Sequence, residues 1–407
     1  MEGLTLRELQ EVASDYAIGN KGEVGDRIER AFGLARGGHG ADFPVAGIEL
    51  KSTELTKRAA GWSVRWRTSV GMINIKNLPK ETWDAATIRK KLSKILFIFY
   101  KRGKGQVPDQ YLIDLKHLWE PSTADWVLIK ADWEQIRQRV INGERQSEGF
   151  SRVLGAATKG TRDSATRAFS LKRPFVDSIY QEARGTLSLS VPVPAGVLPE
   201  DAVVEFLRRF VGWTIGDLAR HIQMKDTSAK HLSALAVWGS LGARSRNERI
   251  KQLDDAGITR RIVPIRPNGS VLDPTSMKGF LIDELSEERW DDSMLRESIE
   301  RILFVPLHGA VRNGDQRHRV VGRAFLWSPT AAERAGIERE WQIFHDHAAS
   351  GRILAAPAAS QTRYIHVRTK GRDSSDIDPG SRSAVPRRGF YLNGQFVTRI
   401  VADHEAP

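Results

Sequence analysis

The two halves of this 407-residue chain repeat one another, and that repeat restricts the folds open to it more than any other feature. Leu4–Leu9 lines up with Trp213–Leu218 at an offset of 209 positions, Thr5 falling on Thr214. Trp83-Asp84 followed by Ile88, Leu92, Ile95, Leu96 and Phe97 matches Trp290-Asp291 followed by Leu295, Ile299, Ile302, Leu303 and Phe304, an offset of 207. Trp133 and Ile136 match Trp341 and Phe344 at 208. Phe169, Leu171, Phe175, Val176 and Ile179 match Phe390, Leu392, Phe396, Val397 and Ile400 at 221. A tryptophan followed by spaced apolar residues is common in helices, so one block alone would carry little. Four blocks in the same order point to two copies of one unit. The proline-rich, charge-poor stretch Val191–Pro199 lies between them, after a strand-like run at Thr186–Val191 and before an apolar helix at Ala202–Val211. The expected domains are therefore 1–190 and 200–407, each long enough to bury its own core.

Within each copy the local patterns are mixed. Helix is expected at Thr5–Ala17, where Thr5 and Glu8 have capping-box spacing, at Gly22–Phe32, and at Thr87–Leu96, where apolar residues recur every three or four positions. Strand is expected at Gly47–Lys51, Val70–Ile75, Ile95–Tyr100 and Asp125–Ile129. Each copy reads as an α/β unit with a mixed-sheet core.

Net charge is +12, from 62 lysines and arginines against 50 acids, and the sequence pI is about 9.9. A surplus of this size suits a polyanion, because each neutralised phosphate releases counterions. Charge does not distinguish binding from cutting. The chain has no cysteine, which removes disulfides, thiolate nucleophiles and cysteine-based zinc sites. His345 and His347, two apart on a helix, diverge and make a poor metal pair. No apolar run reaches membrane-spanning length and the N-terminus has no apolar signal core, so a cytoplasmic protein without a membrane partner is expected.

The sharpest local feature is the stretch from Asp42 to Lys51, an acid, a short gap, then Glu49-Leu50-Lys51 on a short apolar strand. Alternation along a strand puts Glu49 and Lys51 on one face, and Asp42 enters from the preceding turn. Two carboxylates meeting at one point suit a hard divalent cation such as magnesium, and a neighbouring lysine can orient water or offset developing charge. Alone, this spacing also fits a salt-bridged surface strand. Glu29 borders the apolar stripe Val24–Ile28–Phe32 and can reach such a site. Lys91 lies on the helix after Trp83, where Arg89, Lys90 and Lys94 would equally make a solvated basic face.

Comparing the copies separates these readings. Ala46–Lys51 falls on Ala256–Arg261: the frame Ala-Gly-Ile persists, while Glu49 becomes Thr259 and Lys51 becomes Arg261. Glu29 falls on Trp238 and Lys91 on Ser298, and Asp42 has no clear counterpart. The positions suited to chemistry change while many scaffold positions stay, which makes catalysis in the first half the leading reading.

Lys21-Gly22-x-x-Gly25-x-x-Ile28-Glu29, followed by Asp42-Phe43 and Gly47-Ile48-Glu49-Leu50-Lys51, resembles the signature of the MutH-like DNA nucleases, including restriction enzymes that cut at GATC. The second half resembles the later part of that family at Leu303–Pro306, Leu326–Pro329, Val367–Lys370 and Pro386–Leu392. The resemblance implies tandem PD-(D/E)xK domains, the second catalytically degenerate, and Mg²⁺-dependent phosphodiester hydrolysis. It implies metal ligation by Asp42 and Glu49 with Glu29 in support, Lys51 at the water or phosphate, and Lys91 beside the site. For base reading it implies Arg368, Thr369, Lys370 and Tyr391. The first copy departs there, with Ala157-Thr158-Lys159 in place of Arg368-Thr369-Lys370 and Ser170 in place of Tyr391. Lys159 and Arg162 remain to dock DNA on a loop that would equally suit solvent.

The expected function is a type II restriction endonuclease acting on double-stranded DNA, with self-association on DNA to cut both strands. A strand-specific nickase of mismatch repair and a non-cleaving DNA-binding protein are the alternatives. The joint presence of Glu29, Asp42, Glu49, Lys51 and Lys91 argues against the last.

Overall fold

The computed structural model describes residues 2–10, 23–34, 41–58, 61–103, 105–144, 150–158, 166–186, 188–194, 197–226, 231–246, 248–309, 315–371, 375–379, 381 and 384–405. Its contacts divide the chain into two compact units, Met1–Leu187 and Ser188–Pro407. The strand-like run at Thr186–Val191 forms one isolated parallel bridge, Leu189 to Ile250, and no strand among the described residues. Two prolines at 192 and 194 withhold the N–H groups a ladder would need.

The first unit opens with α1 (Leu6–Gln10) and α2 (Glu23–Ala31). At α1 the expected capping box forms: Glu8 donates its N–H to the Thr5 hydroxyl at 3.3 Å, and Thr5 donates its own to Glu8 Oε2 at 2.6 Å. The rest of the Thr5–Ala17 expectation, and Lys21-Gly22 of the motif, lie outside the described residues. There follow β1 (Glu49–Arg58), β2 (Gly61–Val64), β3 (Thr68–Met72), α3 (Thr87–Leu92), β4 (Ile95–Lys101), β5 (Leu112–Trp119), α4 (Thr123–Ile141), β6 (Leu154–Thr158), β7 (Arg167–Leu171) and α5 (Arg173–Ala183). The main sheet has the order β2-β1-β4-β5, with β1 and β4 parallel and the other pairs antiparallel. A second antiparallel sheet has the order β3-β7-β6. Phe97, Phe99, Leu92, Ile95, Trp133 and Phe175 centre the core.

One expected element is of the other type. Asp125–Ile129 is not a strand but the start of α4, because Ser122 and Asp125 form a capping box and Ile129, Trp133, Ile136 and Val140 make a helical stripe. An acid followed by four apolar residues fits both a strand and a helix, and the cap decides between them. The helix at Thr87–Leu96 stops at Leu92, where β4 takes over from Ile95.

The second unit contains α6 (Pro199–Arg208), α7 (Ile215–His221), α8 (Leu232–Ser240), α9 (Lys251–Asp255), β8 (Thr259–Pro264), β9 (Thr275–Phe280), α10 (Ile282–Glu287) and α11 (Met294–Ile299). It continues with β10 (Ile302–His308), β11 (Val320–Val321), β12 (Phe325–Trp327), α12 (Ala331–Ala349), β13 (Ile365–Thr369), β14 (Arg388–Leu392) and α13 (Gly394–Glu405). Strand β8 runs parallel to β10, and β11 and β12 pair with β10 antiparallel. A second sheet has the order β13-β14-β9. Pro306 in β10 cannot donate to a ladder, and its neighbours separate β11 from β12 where the first unit has the unbroken β5.

The two units repeat one another in detail. Glu49 pairs with Ile95 and receives its place through its N–H to the Lys94 carbonyl at 2.9 Å. Thr259 pairs with Ile302 and donates to the Arg301 carbonyl at 3.0 Å. The capped helices also correspond, since Thr214 and Asp217 repeat the Thr5–Glu8 box.

Both units share a device that the sequence reading did not find. Asp132, fully buried on α4, accepts the backbone N–H groups of Arg152, Val153 and Leu154 at 2.7–2.9 Å, just where β6 begins. At the same offset as Trp133 and Trp341, Glu340 on α12 accepts those of Arg363, Tyr364 and Ile365 at 2.7–3.0 Å, where β13 begins. Burial raises the Asp132 carboxyl pKa, against the pull of the N–H bonds and of Arg152. Asp132→Ala leaves three buried backbone donors unpaired, and at ~1–3 kcal/mol per group we expect a loss of several kcal/mol and a clear drop in Tm by calorimetry. An unchanged Tm would remove the anchoring role.

Candidate active site

Strand β1 begins at Glu49, and the turn before it folds back on itself. Phe43 donates its N–H to the Ile48 carbonyl at 2.9 Å and accepts that of Ile48 at 3.3 Å. Gly47 closes the turn at φ +64°, a conformation that side chains resist. This return brings Asp42 beside the strand, where its Oδ2 accepts the Leu50 N–H at 2.7 Å.

The carboxylates and lysines meet here. Glu49 is 2% exposed, too buried for an unpaired carboxylate. Its Oε1 accepts from Lys51 Nζ at 2.8 Å and from Lys91 Nζ at 3.1 Å. Lys51 Nζ also lies 3.9 Å from Asp42 Oδ2. One ammonium thus sits between two carboxylates reaching it from a turn and a strand. Glu29 senses the same cluster: burial raises its carboxyl pKa, Asp42 adds to the rise with Glu49 behind it, and Lys51 opposes. Gly25 marks where α2 packs on β1: a Cβ there would stand in van der Waals contact with Ser52 Oγ, at 3.4 Å.

Lys91 separates from its basic neighbours. Arg89 pairs with Asp84 and lies 5.6 Å from the Trp83 ring, Lys94 pairs with Glu120 at 2.8 Å, and Lys90 is exposed. Lys91 alone of the four turns to Glu49, its stem passing Gly71, where a Cβ would meet Lys91 Cδ at 3.4 Å.

The structure thus brings together Glu29, Asp42, Glu49, Lys51 and Lys91. Among the described residues no group of three or more His, Cys, Asp or Glu is arranged to hold a metal ion. The donor set still fits a hard cation. Its carboxylate oxygens already converge on the positive charge of Lys51.

In the second unit the equivalent ladder positions hold other chemistry. Thr259 and Arg261 pair with Ile302 and Phe304, as Glu49 and Lys51 pair with Ile95 and Phe97. Ser298 on α11 donates its hydroxyl to the Leu295 carbonyl at 2.8 Å. Trp238 on α8 is buried, and the guanidinium of Arg260 stands 5.4 Å from its ring. The residues singled out for base reading gather at one sheet edge. Arg368, exposed on β13, and Lys370 just beyond it each lie 5.8 Å from the ring of Tyr391 on β14. Thr369 is exposed at the end of β13, and Arg387 is held by Asp376 at 2.7 Å. In the first unit Ser170, at the place of Tyr391, is fully buried on β7. Lys159 and Arg162 lie outside the described residues.

Against protein-family models, residues 35–132 and 241–340 both match that of the DNA mismatch repair enzyme MutH. One segment in each half of the chain is thus MutH-like. The chain has the MutH-like, restriction-endonuclease-like fold, α/β with mixed sheets. Among curated proteins, the type II restriction enzyme Sau3AI of Staphylococcus aureus is 26% identical over 303 residues. That match covers 67% of this chain and 62% of the enzyme, so this chain spans less than two thirds of that relative's length. The DNA mismatch repair protein MutH of Escherichia coli is 24% identical over 216 residues, 50% of this chain and 93% of that protein. The MutH of Yersinia pseudotuberculosis is 25% identical over 220 residues, 52% of this chain and 96% of its own.

If Lys91 belongs to the Glu49 cluster rather than to the basic face of α3, Lys91→Gln and Lys90→Gln part company. Assayed on plasmid DNA, Lys91→Gln should lower the single-turnover cleavage rate at least tenfold, the usual scale for a lost charged contact near a reacting phosphate. Lys90→Gln should cut at the parental rate. Equal rates for the two variants would return Lys91 to the solvated face.

Proposed function

We propose that the chain is a type II restriction endonuclease that hydrolyses phosphodiester bonds of double-stranded DNA at a specific short site. The observation that carries this is the convergence of Asp42 and Glu49 on the Lys51 ammonium, with Lys91 on the same Glu49 oxygen. A surface strand laced by salt bridges would not bury its carboxylate to 2% exposure. The relatives support the same reading, since the named functions of both sets are DNA restriction and DNA repair.

In this reading Asp42 and Glu49 hold a magnesium ion, with Glu29 beside them. When bound, the ion polarises the scissile phosphate and lowers the pKa of coordinated water. Lys51 supplies positive charge where negative charge develops on the phosphate, and its short bond to Glu49 fixes the ammonium there. Lys91 fixes the second side of the Glu49 carboxylate. Burial and the neighbouring Asp42 raise the Glu29 pKa, so it takes up a proton more readily than a free carboxylate does.

The second unit lacks these carboxylates at the equivalent ladder positions, and we read it as a catalytically degenerate DNA-binding unit. The lengths of the matches favour restriction over repair. A MutH chain is matched almost whole by half of this one, whereas the Sau3AI match is longer than either unit. One cutting unit per chain leaves two strands to be cut, so two chains act together on DNA. GATC is the site that the resemblance suggests.

Glu49→Ala is expected to abolish plasmid cleavage while leaving duplex binding within about twofold, and chelation by EDTA should do the same to the parent chain. Cutting at parental rates by that variant would remove the site assignment. Linear product should rise more steeply than first order in enzyme. A nicked circle that persists at all enzyme concentrations would instead favour the strand-specific nickase. Arg368→Ala should weaken binding to the recognition sequence by about 1–3 kcal/mol, and to unrelated duplex by much less. Equal losses on both would leave Arg368 a phosphate contact.

A further inference from the structure

One rung of the three-stranded sheet differs between the units as a set. In the first unit Ser69 on β3, Ser170 on β7 and Gly155 on β6 stand side by side. In the second the same rung holds Ser276 on β9, Tyr391 on β14 and His366 on β13. The edge serine is kept, while the other serine and the glycine give way to two rings. Those rings stack across the strands, with 5.7 Å between centroids and 20° between planes. Tyr391 is half-buried and His366 is 2% exposed, so the histidine backs the tyrosine on its buried side.

A residue just past the rung changes with it. Lys172 follows β7, with its N–H on the Val153 carbonyl at 2.8 Å and its Nζ on the Ser151 carbonyl at 2.7 Å. Asn393 follows β14 and repeats both bonds, its N–H to the Tyr364 carbonyl at 2.8 Å and its Nδ2 to that of Thr362 at 2.6 Å. Carbonyls only accept, so the bond to Thr362 fixes which end of the amide is nitrogen. The other end, Oδ1, faces His366 Nδ1 and accepts a hydrogen bond from it. Lysine has no acceptor to offer, so asparagine does the same anchoring and holds the imidazole as well. His366 is thereby fixed as the Nδ1–H tautomer, and its buried Nε2, unpartnered among the described residues, is a bare lone pair. Burial lowers the imidazole pKa against the pull of the Asn393 bond, with Arg368 adding to the fall, so the ring is neutral at neutral pH.

We propose that His366 is a positioning residue for DNA sequence recognition: held by Asn393, it stacks on Tyr391 and fixes the plane in which that tyrosine meets a base edge. The inference rests on the reading that the β13–β14 edge of the second unit faces the bases, and it adds how one reader is kept in place. A half-exposed tyrosine that is free to turn loses that freedom on binding, whereas a ring already stacked has less to lose. A filler of the core would be an apolar ring with no need of an asparagine, while a satisfied polar contact fixes one orientation. His366 itself touches Tyr391 and not the DNA. The first unit, which lacks the tyrosine, has neither the histidine nor the asparagine, as a support made for that tyrosine requires.

The test uses the full chain, without divalent metal, and two short duplexes of equal composition, one with a single GATC and one with those bases permuted. The readout is the ratio of the two affinities. Tyr391→Ala should lower that ratio about tenfold, the scale of one lost base contact. His366→Ala should lower it nearly as far while changing affinity for the permuted duplex by less than about twofold. His366→Phe, which keeps a ring under the tyrosine, should recover most of the ratio. In the Tyr391→Ala background His366→Ala should add nothing, because its effect runs through the missing ring. A loss that persists in that background, or an equal loss on both duplexes, makes His366 a structural residue and overturns the proposal. A parental ratio for His366→Ala beside a lowered one for Tyr391→Ala also overturns it, and leaves the edge reading standing. Parental ratios for both Tyr391→Ala and Arg368→Ala take the edge reading away, and the positioning role with it. If His366→Ala does not fold, Asn393→Lys carries the test: it installs the first unit's residue, keeps a donor for the Thr362 carbonyl and removes the histidine's acceptor. It should lower the ratio about threefold, and a parental ratio there overturns the proposal.

Discussion

The parallel ladder between β1 and β4 is the constraint on which the candidate site depends. Parallel neighbours cannot be joined by a tight turn, so the chain must cross over before it returns, and α3 is the last element of that crossover. The helix therefore ends within a few residues of the strand that Glu49 pairs with. Lys91 is delivered to Glu49 by the same connection that makes the ladder parallel, and the Glu49 N–H to Lys94 locks the register. A slip of one residue would turn both Glu49 and Lys51 to the other face. The second unit keeps the ladder, the crossover helix and the register-locking bond, with Thr259 on Arg301.

Much of this was legible in the sequence, for identifiable reasons. The offsets between blocks located equivalent ladder residues because the helices kept their lengths between the copies, although β1 and β5 are longer than β8 and β12. Elements α2 and α8 each span nine residues, and α4 and α12 nineteen. The pairing of Glu49 and Lys51 on one face followed from strand alternation. Convergence of Asp42 did not follow from spacing alone, since it needs the Phe43–Ile48 turn and a positive φ at Gly47. The error at Asp125–Ile129 came from a run too short to carry a period. The Ser122–Asp125 cap beside it was the better signal. Asp132 and Glu340 were missed although each directly precedes a matched tryptophan. An acid adjoining an apolar helical stripe at the same offset in both copies is what marks them.

The two units show how far side-chain chemistry can change on one backbone. In the first, lysines and carboxylates neutralise one another, so a buried glutamate is tolerated. In the second, Thr259 stands in place of Glu49, Arg261 in place of Lys51 and Ser298 in place of Lys91, with Trp238 giving Arg260 a ring to lie against. Hydrophobic positions changed little, because they pack against each other and not against the site. Chemistry at a sheet end is thus separable from the core that supports it.

The carboxylate anchors on α4 and α12 carry this separation one step further. Asp132 and Glu340 grip main-chain N–H groups, which every residue but proline provides, and are indifferent to the side chains that those residues bear. The strands held in this way, β6 and β13, can therefore vary in sequence without coming loose from the helix behind them. β13 is the strand that presents Arg368 and Thr369. On the proposed function, a surface that tells one DNA sequence from another is mounted on an attachment blind to its own sequence, which leaves it free to drift toward new targets while the fold holds.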